Sequence, residues 1–155
     1  MSTSSLEHTA SPRWVEALNQ LPHDAFHLPG YAAVDAGRLG GTSYAFVHSS
    51  GPEVVLVPVV VRDIGHTGLR DAVSPYGYAG PIATSSDPRL WREALTAMQQ
   101  VLLDAGVISC LLRLHPLLDD IGQRTQHLGR FAQGLGKLTF SHLLLILQNA
   151  EFAKG

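Results

Sequence analysis

The sequence predicts an α+β fold in which helices flank a mixed, mainly antiparallel sheet. Two helical patterns precede two apolar runs that a short turn joins as in a hairpin, and one long helical pattern lies among the remaining strand-like segments. The predicted order is two helices, a strand hairpin, a further strand, a long helix and two more strands. The chain of 155 residues can bury its own core, so we expect one domain over residues 11–147. Residues 1–10 are expected to form a disordered polar tail and residues 148–155 a loose one.

The first two helices have recognisable ends. Ser11 followed by Pro12 is typical of a helix start, and we predict that this helix runs to about Gln20. A second helix is predicted over residues 29–39, because Gly40 and the glycine after it provide a stop. Both helices are therefore expected before any strand of the hairpin.

The long helix has the clearest signals in the chain. Asp87 can cap it, Pro88 suits its first position and Gly106 ends it. Its apolar residues recur at helical spacing and form one face: Leu90, Trp91, Ala94, Leu95, Met98, Val101 and Leu102. Trp91, like Trp14 in the first helix, is therefore interpreted as a core anchor.

The hairpin is predicted from the runs Thr42 to His48 and Glu53 to Ile64, with a turn at residues 49–52. Pro58 interrupts the second run, so we expect it at a bulge or on a free edge of the sheet. A third strand is expected in or beside Tyr78 to Ile82.

Further strands are expected in the C-terminal part. Val107 to Leu114 reads as a strand with alternate residues on opposite faces. Residues 116–126 are predicted to form a turn with a short helix, and Lys137 to Leu147 the last strand.

The composition limits the classes of binding partner and predicts the cellular compartment. The formal net charge of -2 indicates neither nucleic acid nor an anionic membrane as a partner. The longest apolar run, Leu143 to Leu147, is too short to span a bilayer, and the N-terminus does not resemble a secretion signal. Cys110 is the single cysteine and lies in an apolar stretch, so we expect a buried thiol and a cytoplasmic location.

The segment 71–82 (DAVSPYGYAGPI) is the most informative part of the chain. Proline and glycine residues alternate with Tyr76 and Tyr78, which predicts a shaped loop, because a flexible linker would lack aromatic residues. Phenols held on such a loop can contact a ligand by ring face and by hydroxyl. The alternative is that the loop is purely structural.

Arg113 and His115 are predicted to lie on the same side of a strand near its C-terminal end. Such groups are costly to bury unless they are paired or bind a ligand. The alternatives are an ion pair of Arg113 with Asp71, Asp119 or Asp120, and a structural role for His115.

Three other combinations of residues do not predict a functional site. His23 and His27 have the i, i+4 spacing of metal ligands, but prolines on both sides leave little room for a helix, so no metal is expected. The surroundings of Cys110 are too apolar to stabilise a thiolate, so this residue is not expected to serve as a nucleophile. Residues 126–130 and 130–136 each match only part of a phosphate-binding loop.

Five segments resemble the N-terminal half of the FemAB-related, GNAT-like acyltransferases, which carry two GNAT-fold domains. These are Trp14…Leu18, DAFHLPGY at 24–31, DAVSPYGYAGP at 71–81, Trp91…Leu95 and RLHPL at 113–117. The resemblance covers roughly residues 14–129, and the SPYGYxGP loop is its specific part. It implies a GNAT-like fold and transfer of an acyl or aminoacyl group from a thioester or charged tRNA to an amine.

The resemblance also implies which residues form the site. Ser74, Tyr76 and Tyr78 would orient an amine-bearing small-molecule or peptide acceptor, and Arg113, with His115 nearby, would hold a carboxylate or phosphate on it. No residue is assigned as the general base.

In the family a second domain supplies much of the donor site, whereas this chain ends at Gly155, so we expect a truncated or diverged version. Acetyl-CoA or another acyl donor would then bind mainly outside the chain, and the partner would be a second GNAT-like domain or a second copy in a homodimer. The alternative is a non-catalytic binding or pairing module of the same fold.

Overall fold

The computed structural model describes residues 1–115, 136–139 and 142–146. The helices are α1 (Pro12–Leu18), α2 (Pro29–Leu39) and α3 (Pro88–Asp104), and a 3-10 turn lies at Ala25–His27. The strands are β1 (Ser2–His8), β2 (Thr42–Ser50), β3 (Glu53–Asp63), β4 (Arg70–Val73), β5 (Ile82–Ala83), β6 (Val107–Arg113), β7 (Gly136–Thr139) and β8 (His142–Ile146). The three predicted helices and the hairpin of β2 and β3 are confirmed.

The described strands form one mixed sheet in the order β1-β2-β3-β4-β6-β8-β7, and β5 pairs with β3 beside this path. Neighbouring strands are antiparallel except β4 and β6, which run parallel. The carboxyl ends of parallel strands meet at the same edge of a sheet, so the residues after β4 lie beside those after β6. Helices flank this sheet, and the predicted α+β class is confirmed.

Strand β3 lies at the centre of the core and is buried from Val54 to Val61. Its odd-numbered residues share a cluster with Trp91, Met98 and the rest of the apolar face of α3. Its residues Val54 and Leu56 pack on the opposite face against α1 and α2. A strand covered on both faces has a continuous apolar sequence, which explains the run VVLVPVVV.

The helix ends agree with their predicted signals. The side chains of Ser11 and Asp87 accept hydrogen bonds from the backbone N–H groups of Arg13 and Arg89, and a proline follows each cap. Gly40 ends α2 in the left-handed conformation with φ of 66°.

The predicted disordered tail at residues 1–10 is wrong, because residues 2–8 form β1 and pair with β2 along its length. Arg13 of α1 donates hydrogen bonds to the hydroxyls of Ser5 and Thr3, at 2.7 and 2.8 Å. The polar side chains that indicated a tail therefore find partners on a helix, and β2 supplies the backbone hydrogen bonds.

Pro58 lies neither at a bulge nor on a free edge, since it pairs in register with Ala45 inside the sheet. Its nitrogen points to the side that carries β4 and β5, because Val54, an even number of residues away, bonds Thr84 on that side. On that side β5 pairs with Leu56 and β4 with Val60, so Pro58 lies opposite the gap between them. The missing N–H therefore breaks no hydrogen bond between β3 and either strand.

Two other strand predictions need correction, and one is confirmed. Residues 71–73, assigned to the loop, belong to β4. The strand expected in or beside Tyr78 to Ile82 is β5. The segment 137–147, predicted as one strand, contains the antiparallel pair β7 and β8. Strand β8 lies between β6 and β7, so residues 142–145 pair on both sides. The segments predicted at 116–126, 126–136 and 148–155 lie wholly or almost wholly outside the described residues.

Within the described ranges, no helix is both long and apolar enough to cross a bilayer.

Candidate functional site

The segment that follows β4 crosses the end of β6. Ser74 is fully buried, its N–H donates to the carbonyl of Leu111, and its hydroxyl accepts from the N–H of Arg113 at 3.1 Å. The guanidinium of Arg113 donates to the carbonyl of Ser74 at 2.9 Å. Ser74 and Arg113 therefore join the ends of the two parallel strands, and burial keeps the Ser74 hydroxyl from an acceptor substrate.

Two glycines allow this loop to approach its neighbours closely. A Cβ on Gly80 would lie 2.5 Å from the carbonyl oxygen of Arg113 and 2.9 Å from the Cα of Leu114. A Cβ on Gly77, which has φ of 87°, would lie 2.5 Å from the ring of Phe26. Only glycine fits at either position without a shift of the surrounding atoms.

Helix α2 anchors the tip of the loop. The buried carboxylate of Asp35 accepts from the N–H of Tyr76 at 2.8 Å and from the Nε of Arg38 at 2.8 Å. Tyr31 donates its hydroxyl to the carbonyl of Tyr76 at 3.2 Å, and the guanidinium of Arg38 lies 5.8 Å from the centre of the Tyr76 ring. The predicted shaped loop is therefore held at its tip by three side chains of one helix.

The two phenols remain accessible. The exposed fraction is 65% for Tyr76 and 46% for Tyr78, and neither hydroxyl forms a hydrogen bond within the described part of the chain. The Tyr78 ring lies 6.2 Å from both Phe26 and His115, and Phe26 lies 5.3 Å from Tyr31. These edge-on contacts form an aromatic cluster at the C-terminal end of β6.

A carboxylate lies beside this cluster. Asp24 caps the 3-10 turn by accepting from the N–H of Phe26 at 2.9 Å. One of its oxygens lies 3.0 Å from Nδ1 of His27, and the other lies 2.6 Å from Nε2 of His115. The two histidines are almost fully buried, whereas the side chain of Asp24 is 33% exposed. We call the following residues the loop site: Asp24, Phe26, Tyr31, Tyr76, Tyr78 and His115.

The protonation states follow from these partners. Burial acts to raise the pKa of Asp24, but hydrogen bonds from His115 and from the N–H of Phe26 oppose it, and the pKa is lowered overall. Asp24 is therefore ionised at neutral pH. Burial lowers the pKa of His27 despite the opposing effect of Asp24, so this ring is neutral. Burial, then the carboxylate of Asp35, raises the pKa of the Tyr31 phenol, to which Asp24 also contributes.

His27 connects the loop to the first helix. Its Nε2 lies 3.2 Å from the carbonyl of Gly80, while its own carbonyl accepts from the indole of Trp14 at 3.0 Å. Since Asp24 and the Gly80 carbonyl are both acceptors, a neutral ring with one proton can donate to only one of them. The N–H of Asp24 lies 3.4 Å from Nδ1, which suits a ring that accepts there and donates to Gly80.

The structure brings several of the predicted site residues to this end of the sheet. It gives Asp71, a predicted partner of Arg113, a different partner. Tyr78 and His115 are in contact, Tyr76 lies at the tip of the same loop, and Arg113 bonds the backbone at the start of that loop. Asp71 does not pair with Arg113, since it forms its ion pair with Arg62; Asp119 and Asp120 lie outside the described residues. His115 pairs with Asp24, which sequence reasoning did not propose as a site residue. The only local signal for Asp24 in the sequence was that an aspartate can cap a turn.

No metal site or reactive thiol emerges in the described ranges. They contain no group of three or more histidine, cysteine, aspartate or glutamate residues placed to hold a metal ion. Burial raises the pKa of the Cys110 thiol to about 12, so it stays protonated at neutral pH.

Comparison of the chain with protein-family models, with curated proteins and with solved structures found no match.

Proposed function

We propose that this chain is a GNAT-like, FemAB-related N-acyltransferase domain that forms the acceptor side of an acyl- or aminoacyl-transfer cleft. The observation that carries the proposal is the loop site: an ionised, partly exposed carboxylate that contacts His115 next to the accessible Tyr78 ring, with the exposed Tyr76 on the same loop, all at the end of the parallel strand pair. A carboxylate flanked by aromatic faces is suited to an ammonium group, which is the resting state of an amine acceptor.

The position of the loop site in the fold supports this proposal. Ligands of sheets with parallel strands bind beyond the carboxyl ends of those strands, where the chain changes direction. Loop residues 74–81 and His115 both follow such ends, after β4 and β6. The element order and the mixed sheet flanked by helices are compatible with the GNAT-like fold that the sequence resemblance implies.

Asp24 retains capacity for a ligand. A carboxylate offers about four acceptor positions, of which the Phe26 N–H and the His27 and His115 rings occupy up to three. An ammonium group can therefore donate to Asp24 while its carbon chain lies against Phe26 and Tyr78. Arg113, whose guanidinium bonds the backbone of Ser74, would hold a carboxylate or phosphate elsewhere on the acceptor.

In the proposed reaction the acceptor amine attacks the carbonyl carbon of a thioester or ester, the new N–C bond forms, and the C–S or C–O bond breaks. The amine proton passes to water or to a side chain, and the leaving thiolate or alkoxide is protonated. The loop site would bind and orient the amine. The donor, acetyl-CoA or another acyl donor, would be held mainly by a second GNAT-like domain or a second copy of the chain.

One observation favours the second candidate, a non-catalytic binding or pairing module. The loop packs directly on the end of β6, since Gly80 leaves no room for a Cβ there. The space between the ends of the parallel strands is thus filled by the protein itself. Such a module would bind the amine and leave the chemistry to its partner.

Calorimetry with a lysine derivative that has a free side-chain amine, and with its acetylated form, tests the acceptor site. The free amine should bind and the acetylated form should not. Asp24→Asn should weaken binding about tenfold or more, since a charged hydrogen bond is lost. Tyr44→Phe is the matched control, because Tyr44 contacts His8 on another part of the sheet. Equal binding of both derivatives would refute an ammonium site.

Incubation with acyl-CoA donors and analysis of the amine by mass spectrometry separates the two candidates. We expect weak or no binding of acetyl-CoA to the lone chain, because its sequence contains no complete phosphate-binding loop. Acylated product from the chain with its partner would establish the acyltransferase. Amine binding with no transfer in that assembly would establish the binding module, and low-micromolar binding of acetyl-CoA would refute the half-site arrangement.

A further inference from the structure

A second concave region lies on another part of the molecule, between the edge strand β1 and helix α3. We call it the β1–α3 groove; its volume is about 700 Å³, within the range of small-molecule sites. Its lining comprises Ser2, Ser4, His48, Arg92, Glu93, Thr96, Ala97, Gln99, Gln100 and Leu103. The helical lining residues run from Arg92 to Leu103, eleven steps along the helix, so the groove extends about 16 Å along α3.

The groove has a polar end and a less polar one. Arg92 and Glu93 line it one to three turns before Ala97 and Leu103 along α3. His48 lies towards the polar end, because Arg89 joins Glu93 to Glu53, and Glu53 pairs with Ser50, two residues after His48 on β2. A ligand with a polar head and an aliphatic body fits this distribution better than a uniformly polar one.

At the polar end of the groove, the charged group that has no partner among the described residues is a cation. The guanidinium of Arg92 forms no ion pair or hydrogen bond within the described residues. Glu93, in contrast, accepts from Arg89 at 3.3 Å, although Arg89 also pairs with Glu53 and Asp87. The exposed cation without a partner is therefore Arg92, and the carboxylate beside it is partly compensated.

A buried imidazole supplies an independent sign of a missing partner. His48 is 2% exposed, its Nδ1 lies 2.8 Å from the hydroxyl of Ser4, and its Nε2 has no hydrogen-bond partner in the described part of the chain. An unsatisfied buried polar atom is costly, and in native proteins it usually bonds water, an ion or a ligand. The ring of His48 lines the groove, so such a partner would enter from there.

We propose that the β1–α3 groove binds a carboxylate that carries a short aliphatic chain, with the carboxylate between Arg92 and His48 and the chain directed towards Leu103. Arg92 donates to the carboxylate, and His48 donates from Nε2 when its Nδ1 accepts from the Ser4 hydroxyl. This site is separate from the loop site and does not depend on the acyltransferase proposal.

Calorimetry with octanoate, acetate and octylammonium tests the proposal on the wild-type chain. Octanoate should bind more tightly than acetate, because acetate lacks the aliphatic body, and octylammonium should not bind, because its charge is reversed. A proton and nitrogen NMR spectrum of the histidine rings should show octanoate shifting the Nε2 resonance of His48. Equal binding of octanoate and octylammonium would overturn the site.

Two substitutions of exposed residues sharpen the test without risk to the core. Arg92→Gln should weaken octanoate about tenfold or more, and Glu93→Gln should strengthen it, because the remaining negative charge is removed. Arg70→Gln is the control, since it removes the same charge from an exposed arginine outside this groove. Arg92→Gln binding that equals that of Arg70→Gln would reject the assigned contact.

Discussion

The loop site and the β1–α3 groove each lie next to a buried histidine. The two histidines differ in whether both ring nitrogens have a hydrogen-bond partner within the protein. His27 has partners at both ring nitrogens, the backbone N–H of Asp24 at Nδ1 and the carbonyl of Gly80 at Nε2, whereas His48 has one at Nδ1 and none at Nε2 among the described residues. The loop site is therefore rigidly connected to the fold, and its accessible groups are the phenols and one carboxylate. The groove instead retains an unsatisfied atom and an unpaired cation. This difference is the basis for the proposed ammonium site in one region and the proposed carboxylate site in the other.

The largest effect on the free energy of unfolding is expected where the loop packs on the end of β6. Gly80→Ala should destabilise the protein by about 2 kcal/mol or more, because its Cβ would overlap backbone atoms that cannot move independently. Gly30→Ala, near the start of α2, is the control; a Cβ at that position would have no atom within 4 Å, so this variant should be neutral or slightly stabilising. Chemical denaturation measures both. A Gly80→Ala variant as stable as Gly30→Ala would mean that the loop is not packed on β6.

The two histidines should differ in their contribution to stability. Each loses a buried ring on replacement by alanine, but His27→Ala also leaves the Gly80 carbonyl and the backbone N–H of Asp24 without the partners that the ring provided. We expect its free energy of unfolding to fall below that of His48→Ala by about 1–3 kcal/mol. Denaturant titrations of both variants at pH 7 provide the measurement. Equal losses would show that the partners of His27 contribute little beyond ring packing.

Acid should weaken the fold through both histidines. Burial lowers the pKa of His27 and of His48 below the ordinary value of 6.5, so the unfolded chain binds protons that the folded chain resists. Their contribution to stability is full above pH 6.5 and is lost as the pH falls towards the lowered pKa values. Asp24, whose pKa is also lowered, adds a further loss at lower pH. Melting temperatures between pH 7.5 and 5 should fall, and a flat profile would contradict the neutral, buried rings.

The smallest effect on stability is expected at the phenols. Tyr76→Phe and Tyr78→Phe keep the rings and remove hydroxyls that have no hydrogen bond in the described ranges, so each should change the free energy of unfolding by less than about 0.5 kcal/mol. Binding of an amine acceptor should nevertheless weaken, since the polar end of the ring is lost. A drop of several degrees in the melting temperature of both variants would instead identify the hydroxyls as internal partners.

Local signals in the sequence were sufficient for most helices and for the hairpin. The cap and proline at Ser11 and Asp87, and the left-handed Gly40, act within one turn of the chain, so their effect can be read from neighbouring residues. Strand β1 could not be predicted in this way, because a serine-rich segment becomes a strand only when β2 and Arg13 are beside it. Pro58 was misplaced for the same reason, since the gap between β4 and β5 is a property of the whole sheet.

The sequence by itself determined an α+β chain with a shaped, tyrosine-bearing loop and a polar pair of residues near the end of β6. Only the tertiary structure decided that Asp24 joins His115 across 91 positions, that Ser74 is buried and that His48 faces a groove beside Arg92. Capping, turn and periodicity signals act between residues close in sequence and are visible there. Partners of buried polar groups are chosen by which elements the sheet brings together, and the sequence of any one element does not contain that information.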